Sequence, residues 1–513
     1  MGPRNERAYR LRRVQAARRR RCADRQRPRA HGHALPRVDA FLRARGGHRS
    51  LLEARAVLAR DRRPRRTWGP RALYAPARHA PYRHGIGRRM NTVPMSPARA
   101  TPHARPRAAA RQFFFAPIVL RRYNERTAQR FQVGAASHKV AGLAAGLRSH
   151  AAASIVVSSP IVTASTGPKR FGGFVCRDAR LACAYLPAIS VRGLNRVFAA
   201  CAYLRFAIRH IRPGDGVVLY NYFPEYVPVA AYLRWRLGRD KVVMDLEDGP
   251  RADERTLRGV VNRWSLRVLS RVCSPRAIVV SRQLADVMQI DDACVVNGVS
   301  PDAVTQRARF GDPVTFLYGG SIETGTGLDL FCGALRELAR TRPDLAGKVR
   351  FVVTGFGGGA SLAALADDLA RSGFALDLRQ DVGPDDYRTI LSEADVGLSL
   401  KMPASALNAT TFPSKVIELA SLGLLVLTTD ISDISLLFDD TSAAILRTAD
   451  AAALAALIAQ IAARPELYAR IAQAGQRRIV ERCSRHAVGA RLVAFLGGAP
   501  DSFPSSSSSP SSP

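Results

Sequence analysis

The segment Phe412–Leu424 (F-P-S-K-V-I-E-L-A-S-L-G-L) has the spacing in this chain that says most about chemistry. A Pro-Ser start, an apolar run at helical spacing and Gly423 outline a short helix. Glu418 falls on its first turns, and an apolar strand, Leu424–Thr428, follows directly. A carboxylate beside a helix N-terminus, at the rim of a crevice in an α/β protein, is a means of gripping the hydroxyls of a nucleotide ribose or a sugar. The segment therefore reads as part of a nucleotide-sugar site.

Three other groups carry chemistry. M-D-L-E-D-G-P gathers Asp245, Glu247 and Asp248 behind an apolar run. A carboxylate there is suited to taking the proton of a hydroxyl; satisfying the amides of a turn around Gly249 is the competing reading. Y-N-Y-F-P-E-Y ends another run and offers Asn221 and Glu225, with aromatic neighbours that stack on sugar rings or simply pack. His138 and Lys139, in G-A-A-S-H-K-V, open a helical pattern whose start is expected to face the same side; a pair on the helix surface is the alternative.

These residues need strand ends to position them. In the first half the candidate strands are Phe113–Leu120, Ser154–Ser158, Gly216–Tyr220, Val242–Leu246, Ala277–Val280 and Cys294–Val296, separated by helical patterns such as Lys139–Leu147 and Pro228–Leu237. In the second they are Thr315–Tyr318, Arg350–Thr354, Ala375–Leu378, Val396–Leu400, Leu424–Thr428 and Ala443–Leu446. Short apolar runs alternating with helices predict parallel sheets covered on both faces. Turn formers from Asn297 to Pro313 mark a joint between two such units.

The 513 residues are enough for several domains and a core that needs no disulfide. Residues 1–89 hold 27 Arg, no Lys and 5 acidic residues, which supplies +22 of a net charge of +37. Without apolar periodicity such a stretch cannot offset its ordering entropy, so it is expected to be disordered or a non-native extension with Met90 or Met95 as the true start. A basic arm for nucleic acid is the other reading; the absence of Lys speaks against it, and a nucleic-acid partner is not expected. Residues 502–513 are a low-complexity Ser/Pro tail, also expected to be disordered.

The eight cysteines show no C-x-x-C pair or metal spacing and read as reduced, mostly buried thiols of a cytoplasmic protein. No window of about 20 residues is both free of charge and apolar throughout; the best apolar stretch, Val197–Ile208, is broken by Arg205.

Between Phe113 and Gly497 five motifs in order make the chain resemble the retaining glycosyltransferases of family 4. They are Asn297–Val299 (N-G-V), F-L-Y-G-G-S-I-E-T-G-T-G-L-D-L-F, Thr354–Gly359 (T-G-F-G-G-G), Leu391–Leu400 (L-S-E-A-D-V-G-L-S-L) and P-S-K-V-I-E-L-A-S-L-G-L-L-V-L-T-T. The resemblance implies α/β class and the GT-B fold: two facing Rossmann-like doubly wound domains with a cleft between them. Residues 1–110 would be the Arg-rich extension, 111–305 the acceptor domain, 306–498 the nucleotide-sugar donor domain and 499–513 the tail. The C-terminal helix around Ser484–Leu496 would pack back on the first domain.

The resemblance further implies that a sugar passes from a nucleotide diphosphate to a hydroxyl with its anomeric configuration kept. Glu418 would bind the donor ribose. Gly319, Gly320, Ser321 and Gly355 would approach the diphosphate or sugar, and Thr411, Ser414, Lys401 and Lys415 would complete the donor set. Catalysis would fall to Glu247, Asp248 and Lys415, and acceptor binding to His138, Lys139, Asn221 and Glu225. No metal or other cofactor is expected, since no Asp-x-Asp motif stands at a donor loop.

Two departures from the family pattern stand out. Its relatives often carry an Arg and a Lys on the first donor loop, whereas Gly319–Gly327 has no cation and contains Glu323. Another cation is then required, with Lys415 the first candidate and Lys401 the second. The first position of the family's E-x7-E motif is Thr410.

The expected acceptor is a saccharide or lipid-linked saccharide for a surface polysaccharide or glycolipid. R-W-R-L-G-R at Arg234–Arg239, with Arg121, Arg122, Arg205 and Arg209, adds an expected peripheral contact at the inner face of the cytoplasmic membrane. A nucleotide-sugar 2-epimerase of the same fold is the rival enzyme. Incubation with a labelled nucleotide sugar alone separates the two: the transferase reading expects an inert or slowly hydrolysed donor, and isomerised sugar would support the epimerase.

Overall fold

The computed structural model describes residues 110–127, 134–160, 170–177, 181–249, 255–301, 310–321, 326–356, 359–380, 382–402 and 410–498. The Arg-rich extension, Glu323, residues 302–309 of the expected joint and the Ser/Pro tail lie outside them.

Runs such as Gly216–Tyr220 and Val242–Leu246 are buried at every position, as strands covered on both faces must be. They belong to an eight-stranded sheet with the spatial order Ala293–Val295, Ala277–Val279, Val242–Leu246, Gly216–Tyr220, Arg111–Phe115, Ala153–Ser158, Ala182–Tyr185, Phe174–Arg177. Neighbours are parallel except for the last pair, which is antiparallel. That hairpin, and the two-residue pairing of Arg170–Phe171 with Ala188–Ile189, are absent from the strands expected above. Segments of two to four residues are too short to show a period.

The strand expected over Phe113–Leu120 ends at Phe115, with one further link from Ala116 N to Val157 O at 3.1 Å. Pro117, which has no amide, stands just beyond. The strand begins earlier than expected, at Arg111, whose guanidinium pairs with Asp215 at 2.6 Å ahead of the adjacent strand.

The second sheet has six parallel strands in the order Ala375–Gln380, Val349–Phe356, Val314–Ser321, Val396–Ser399, Leu425–Thr429, Ala444–Leu446. In chain order this reads third, second, first, fourth, fifth, sixth. The connections reverse direction between Val314–Ser321 and Val396–Ser399; in sheets of this kind ligands bind beyond the carboxyl ends of the strands that flank the reversal. In the first sheet the reversal lies between Arg111–Phe115 and Gly216–Tyr220.

The N-G-V motif joins the two lobes. The buried Asn297 amide donates to Val280 O and to Asp433 Oδ2, both at 2.9 Å, and Arg282 N donates to the same carboxylate at 2.8 Å. Burial raises the Asp433 pKa against these donors. A Cβ on Gly298 would lie 2.8 Å from Ile417 Cδ1, which shows how closely the lobes approach.

The chain then returns. The C-terminal helix Arg485–Gly497 packs Val488, Leu492 and Phe495 into the first lobe beside Val140, Leu143, Ala144 and Leu147 of the helix Gly134–Ser149. The two helices meet at Gly146 and Gly489, where a Cβ on Gly489 would come within 2.2 Å of Gly146 O. His150 and His486 stack beside them with centroids 4.4 Å apart.

Gly489→Val is expected to lower the unfolding free energy by about 1–3 kcal/mol through overpacking, seen as a lower urea midpoint. Gly497→Ala on the same helix, where an added Cβ meets nothing within 4 Å, is expected to leave the midpoint unchanged or raise it.

Candidate functional site

On the second lobe the site is built around the helix Lys415–Ser421. Lys415 and Glu418 are three residues apart and share one face; Glu418 is half-buried. The Lys415 ammonium donates to the carbonyl of Gly319, at the end of the strand Val314–Ser321. Gly320 has φ 130°, and a Cβ there would lie 2.7 Å from Lys415 Nζ, so only glycine admits this approach. Gly355 stands opposite Gly320 in the neighbouring strand, and Ser321 ends the strand opposite Phe356. The result is a strip of bare backbone with an ammonium over it. Burial pulls that ammonium below the usual lysine pKa, and the Glu418 charge opposes the fall.

Tyr387, on the helix Pro384–Glu393, joins the group without having been expected. A Cβ at Gly319 would lie 3.4 Å from Lys415 Nζ and 3.7 Å from the Tyr387 hydroxyl. Burial pushes this hydroxyl well above the ordinary tyrosine value, and the Glu418 charge adds to the shift. In the sequence Tyr387 is an unremarkable amphipathic position; only the carboxyl-end geometry identifies it.

Lys401 follows the strand Val396–Ser399 on the other side of the reversal and donates to Thr411 Oγ1 at 3.2 Å. Burial lowers its pKa, opposed by the charge of Asp248 from the first lobe. Thr411 is buried; Ser414 is exposed at the start of the Lys415 helix and makes no side-chain cap. A Cβ on Gly249 would fall 2.9 Å from Thr410 Oγ1, so the carboxylate loop of the first lobe touches the segment that leads into the donor helix.

The first lobe brings Lys139, Asp245 and Glu247 together. Lys139 Nζ donates to Asp245 Oδ1 at 3.0 Å and to Glu247 Oε1. Asp245 is fully buried, and its second oxygen has no hydrogen-bond partner among the described residues. Asn221, with φ 60°, donates to Asp248 at 3.4 Å and accepts from Glu247 N at 3.4 Å. Burial, with the charges of Asp245 and Asp248, pushes the Glu247 carboxyl up to about 7 against the pull of Lys139. Burial also raises Asp245 against Lys139. For Lys139 itself burial works downward, but the two carboxylates outweigh it and its pKa ends raised.

Three of the expected acceptor residues behave differently from expectation. Lys139 is only 6% exposed at its side chain and serves as the counter-charge of two carboxylates, which leaves it no face for an acceptor. His138 is exposed and takes no part in the cluster, because adjacent residues on a helix point about 100° apart. Glu225 is buried and accepts from Arg196 at 2.7 Å, so this ion pair and not an open pocket holds it. Asn221 contacts both Glu247 and Asp248. Among the described residues no group of three or more His, Cys, Asp or Glu side chains is arranged to hold a metal ion.

Residues 331–496 match the family model described as glycosyl transferase-like. No curated protein sequence matches this chain. Solved structures of similar fold include the sucrose-phosphate synthase of Thermosynechococcus elongatus, with a TM-score of 0.52 and 12% identity over 76% of this chain and 98% of that one. The alpha,alpha-trehalose-phosphate synthase (UDP-forming) of Burkholderia xenovorans, in complex with glucose-6-phosphate, gives 0.51 and 11% over 76% and 100%. The trehalose-6-phosphate structure from E. coli bound with UDP-2-fluoro glucose gives 0.51 and 13% over 76% and 99%. At these identities the likeness is one of fold, and the fold is GT-B. The glycosyl transferase-like match lies on the lobe that carries Lys415 and Glu418, and the protein is a glycosyltransferase.

Lys139→Met is expected to cost about 3–5 kcal/mol of stability above neutral pH, because it strands two buried carboxylates without a counter-charge. The cost should shrink at pH 5, where carboxyls with raised pKa values take up protons and lose their charge. Urea unfolding of both proteins at the two pH values reads the difference.

Proposed function

We propose that the protein is a retaining, metal-independent glycosyltransferase of family 4 type, which moves a sugar from a nucleotide-diphosphate donor to a hydroxyl of a saccharide or lipid-linked acceptor. Its products would serve surface polysaccharide or glycolipid synthesis at the cytoplasmic side of the membrane. The observation that carries the reading is the convergence of Lys415, Glu418 and the bare backbone of Gly319–Gly320 at the strand-order reversal of the second sheet.

In this reading Glu418 accepts hydrogen bonds from the donor ribose. The Lys415 ammonium and the backbone at Gly319, Gly320 and Ser321 meet the diphosphate, with Gly355 beside them. As the bond from the sugar carbon to the diphosphate oxygen breaks, negative charge grows on the leaving group, and a fixed ammonium in a water-poor crevice stabilises that charge more than it stabilises the ground state. Lys401, with Thr411 and Ser414, supplies a second cation and polar lining from the far side of the reversal. It compensates for the lack of cations in the first donor loop.

The acceptor hydroxyl approaches from the first lobe. Asn221 and Asp248 orient it, and Glu247 receives its proton as the new bond forms on the face the diphosphate leaves. A carboxylate with a pKa near 7 is matched to that work at neutral pH. Lys139 acts on the reaction only through Glu247 and Asp245.

Glu418→Ala is expected to weaken nucleoside-diphosphate binding about 10–100-fold, the worth of hydrogen bonds to a charged group, measured by calorimetry against uridine, guanosine and thymidine diphosphates. Lys415→Ala is expected to lower kcat/KM about 10²–10³-fold in assays with the donor sugar that the same panel selects. Activity should rise with pH through about 7 as Glu247 loses its proton, and fall at alkaline pH below the usual lysine value as Lys415 loses its own. Glu247→Gln should abolish the acidic limb. Unchanged nucleotide binding in Glu418→Ala would remove the support for this site.

A further inference from the structure

The outer layer of the first lobe carries a pattern that neither core packing nor sugar transfer uses. The helices Leu194–His210, Val227–Leu237 and Leu257–Val272 lie side by side over one face of the first sheet. Their inner sides give Tyr203, Phe206, Val229, Leu233 and Leu269 to the core. They contain three, two and four Arg respectively, and no Asp or Glu.

Their outer sides are apolar where solvent would favour polar groups. On the third helix Leu257, Val260, Trp264, Arg267 and Arg271 recur at steps of three and four, which makes a single stripe, and all five are exposed. Leu257 is 80% exposed and Trp264 53%. On the first helix Leu194, Val197, Cys201, Arg205 and Ile208 do the same, and Trp235 of the second is 79% exposed. Arg234 and Arg239 reach the carbonyls of Arg271 and Cys273, which gathers positive charge at the end of the third helix. Arg205, Arg209, Arg236, Arg258, Arg267 and Arg271 form no ion pair with any described residue.

Arginine alone would suit a nucleic acid as well as a lipid headgroup. Leu257, Val260 and Ile208 decide between them: aliphatic side chains gain nothing from a phosphate backbone, but gain from acyl carbon just beneath a layer of phosphates. Tryptophan favours the same boundary, with its ring in the apolar zone and its N–H toward the headgroups. We propose that this three-helix face docks on a bilayer containing anionic phospholipid. The arginines meet the lipid phosphates while Trp235, Leu257, Val260 and Trp264 enter the boundary between headgroup and acyl chain.

The test uses the full chain with Trp68→Phe, so that Trp235 and Trp264 are the only tryptophans left. Vesicles are phosphatidylcholine alone or mixed with phosphatidylglycerol, with bromine on the acyl chains of one lipid. Blue-shifted and quenched tryptophan emission is expected with the mixed vesicles and not with the neutral ones. By flotation, Trp235→Ser/Trp264→Ser and Arg236→Glu/Arg267→Glu should each weaken vesicle binding about tenfold; these are exposed positions, and the unfolding midpoints should not move. Unquenched tryptophans, equal quenching on neutral vesicles, or binding that survives both double variants and so belongs to the Arg-rich extension would each overturn the proposal. So would loss of binding to a single-stranded RNA oligonucleotide in these variants while vesicles leave the tryptophans unquenched. No donor or acceptor enters the assay, so its outcome is independent of the proposed reaction.

Discussion

A parallel sheet whose strand order reverses cannot cover its carboxyl edge at the reversal, because the connections on the two sides lead to opposite faces. The protein has this constraint twice, between Val314–Ser321 and Val396–Ser399 and between Arg111–Phe115 and Gly216–Tyr220. Most of the groups discussed above sit at or near one of these open edges. Gly319 and Gly320 lie near the end of the strand on one side of the second reversal, and Lys401 follows the strand on the other. Asn221 directly follows the strand Gly216–Tyr220 at the first reversal, and Asp245 and Glu247 lie at the end of the next strand out.

Charge is then distributed around these edges with few lysines. The chain has six, and Lys139, Lys401 and Lys415 all lie near the edges. Each does a different job. Lys139 is locked between carboxylates and opposes the rise that burial gives their pKa values; Lys401 faces Asp248 across the lobes; Lys415 covers a backbone that otherwise offers only glycine. Arginine could not easily replace the last, since its planar fork needs more room than the space over Gly320 leaves.

How much of this could be read from sequence depends on the range of the interactions. Gly216–Tyr220 and Val242–Leu246 are legible to the residue because every position is apolar or buried and the flanks are Gly, Asp and Lys. The helix with Lys415 and Glu418 is legible because Pro413 and Gly423 bracket it. The pairing of Lys139 with Asp245 and Glu247 is not, since it spans more than a hundred residues and leaves no local trace. Reading His138 and Lys139 as a unit failed because neighbours in sequence diverge around a helix. Glu225 looked available beside its aromatic neighbours, and only the fold brings Arg196 onto it. Tyr387 carries no motif at all. It matters because the helix Pro384–Glu393 descends beside the glycine strip.

The return of the helix Arg485–Gly497 to the first lobe has a consequence for biosynthesis. Synthesis runs from the N-terminus, and a lobe folds as it emerges. Val140, Leu143, Ala144 and Leu147 therefore leave the ribosome long before Val488, Leu492 and Phe495 exist to cover them. For the time taken to translate the whole second lobe, the nascent chain shows an uncovered apolar groove. Chaperones that hold such grooves have their binding window there, and it closes only once the helix Arg485–Gly497 has been made.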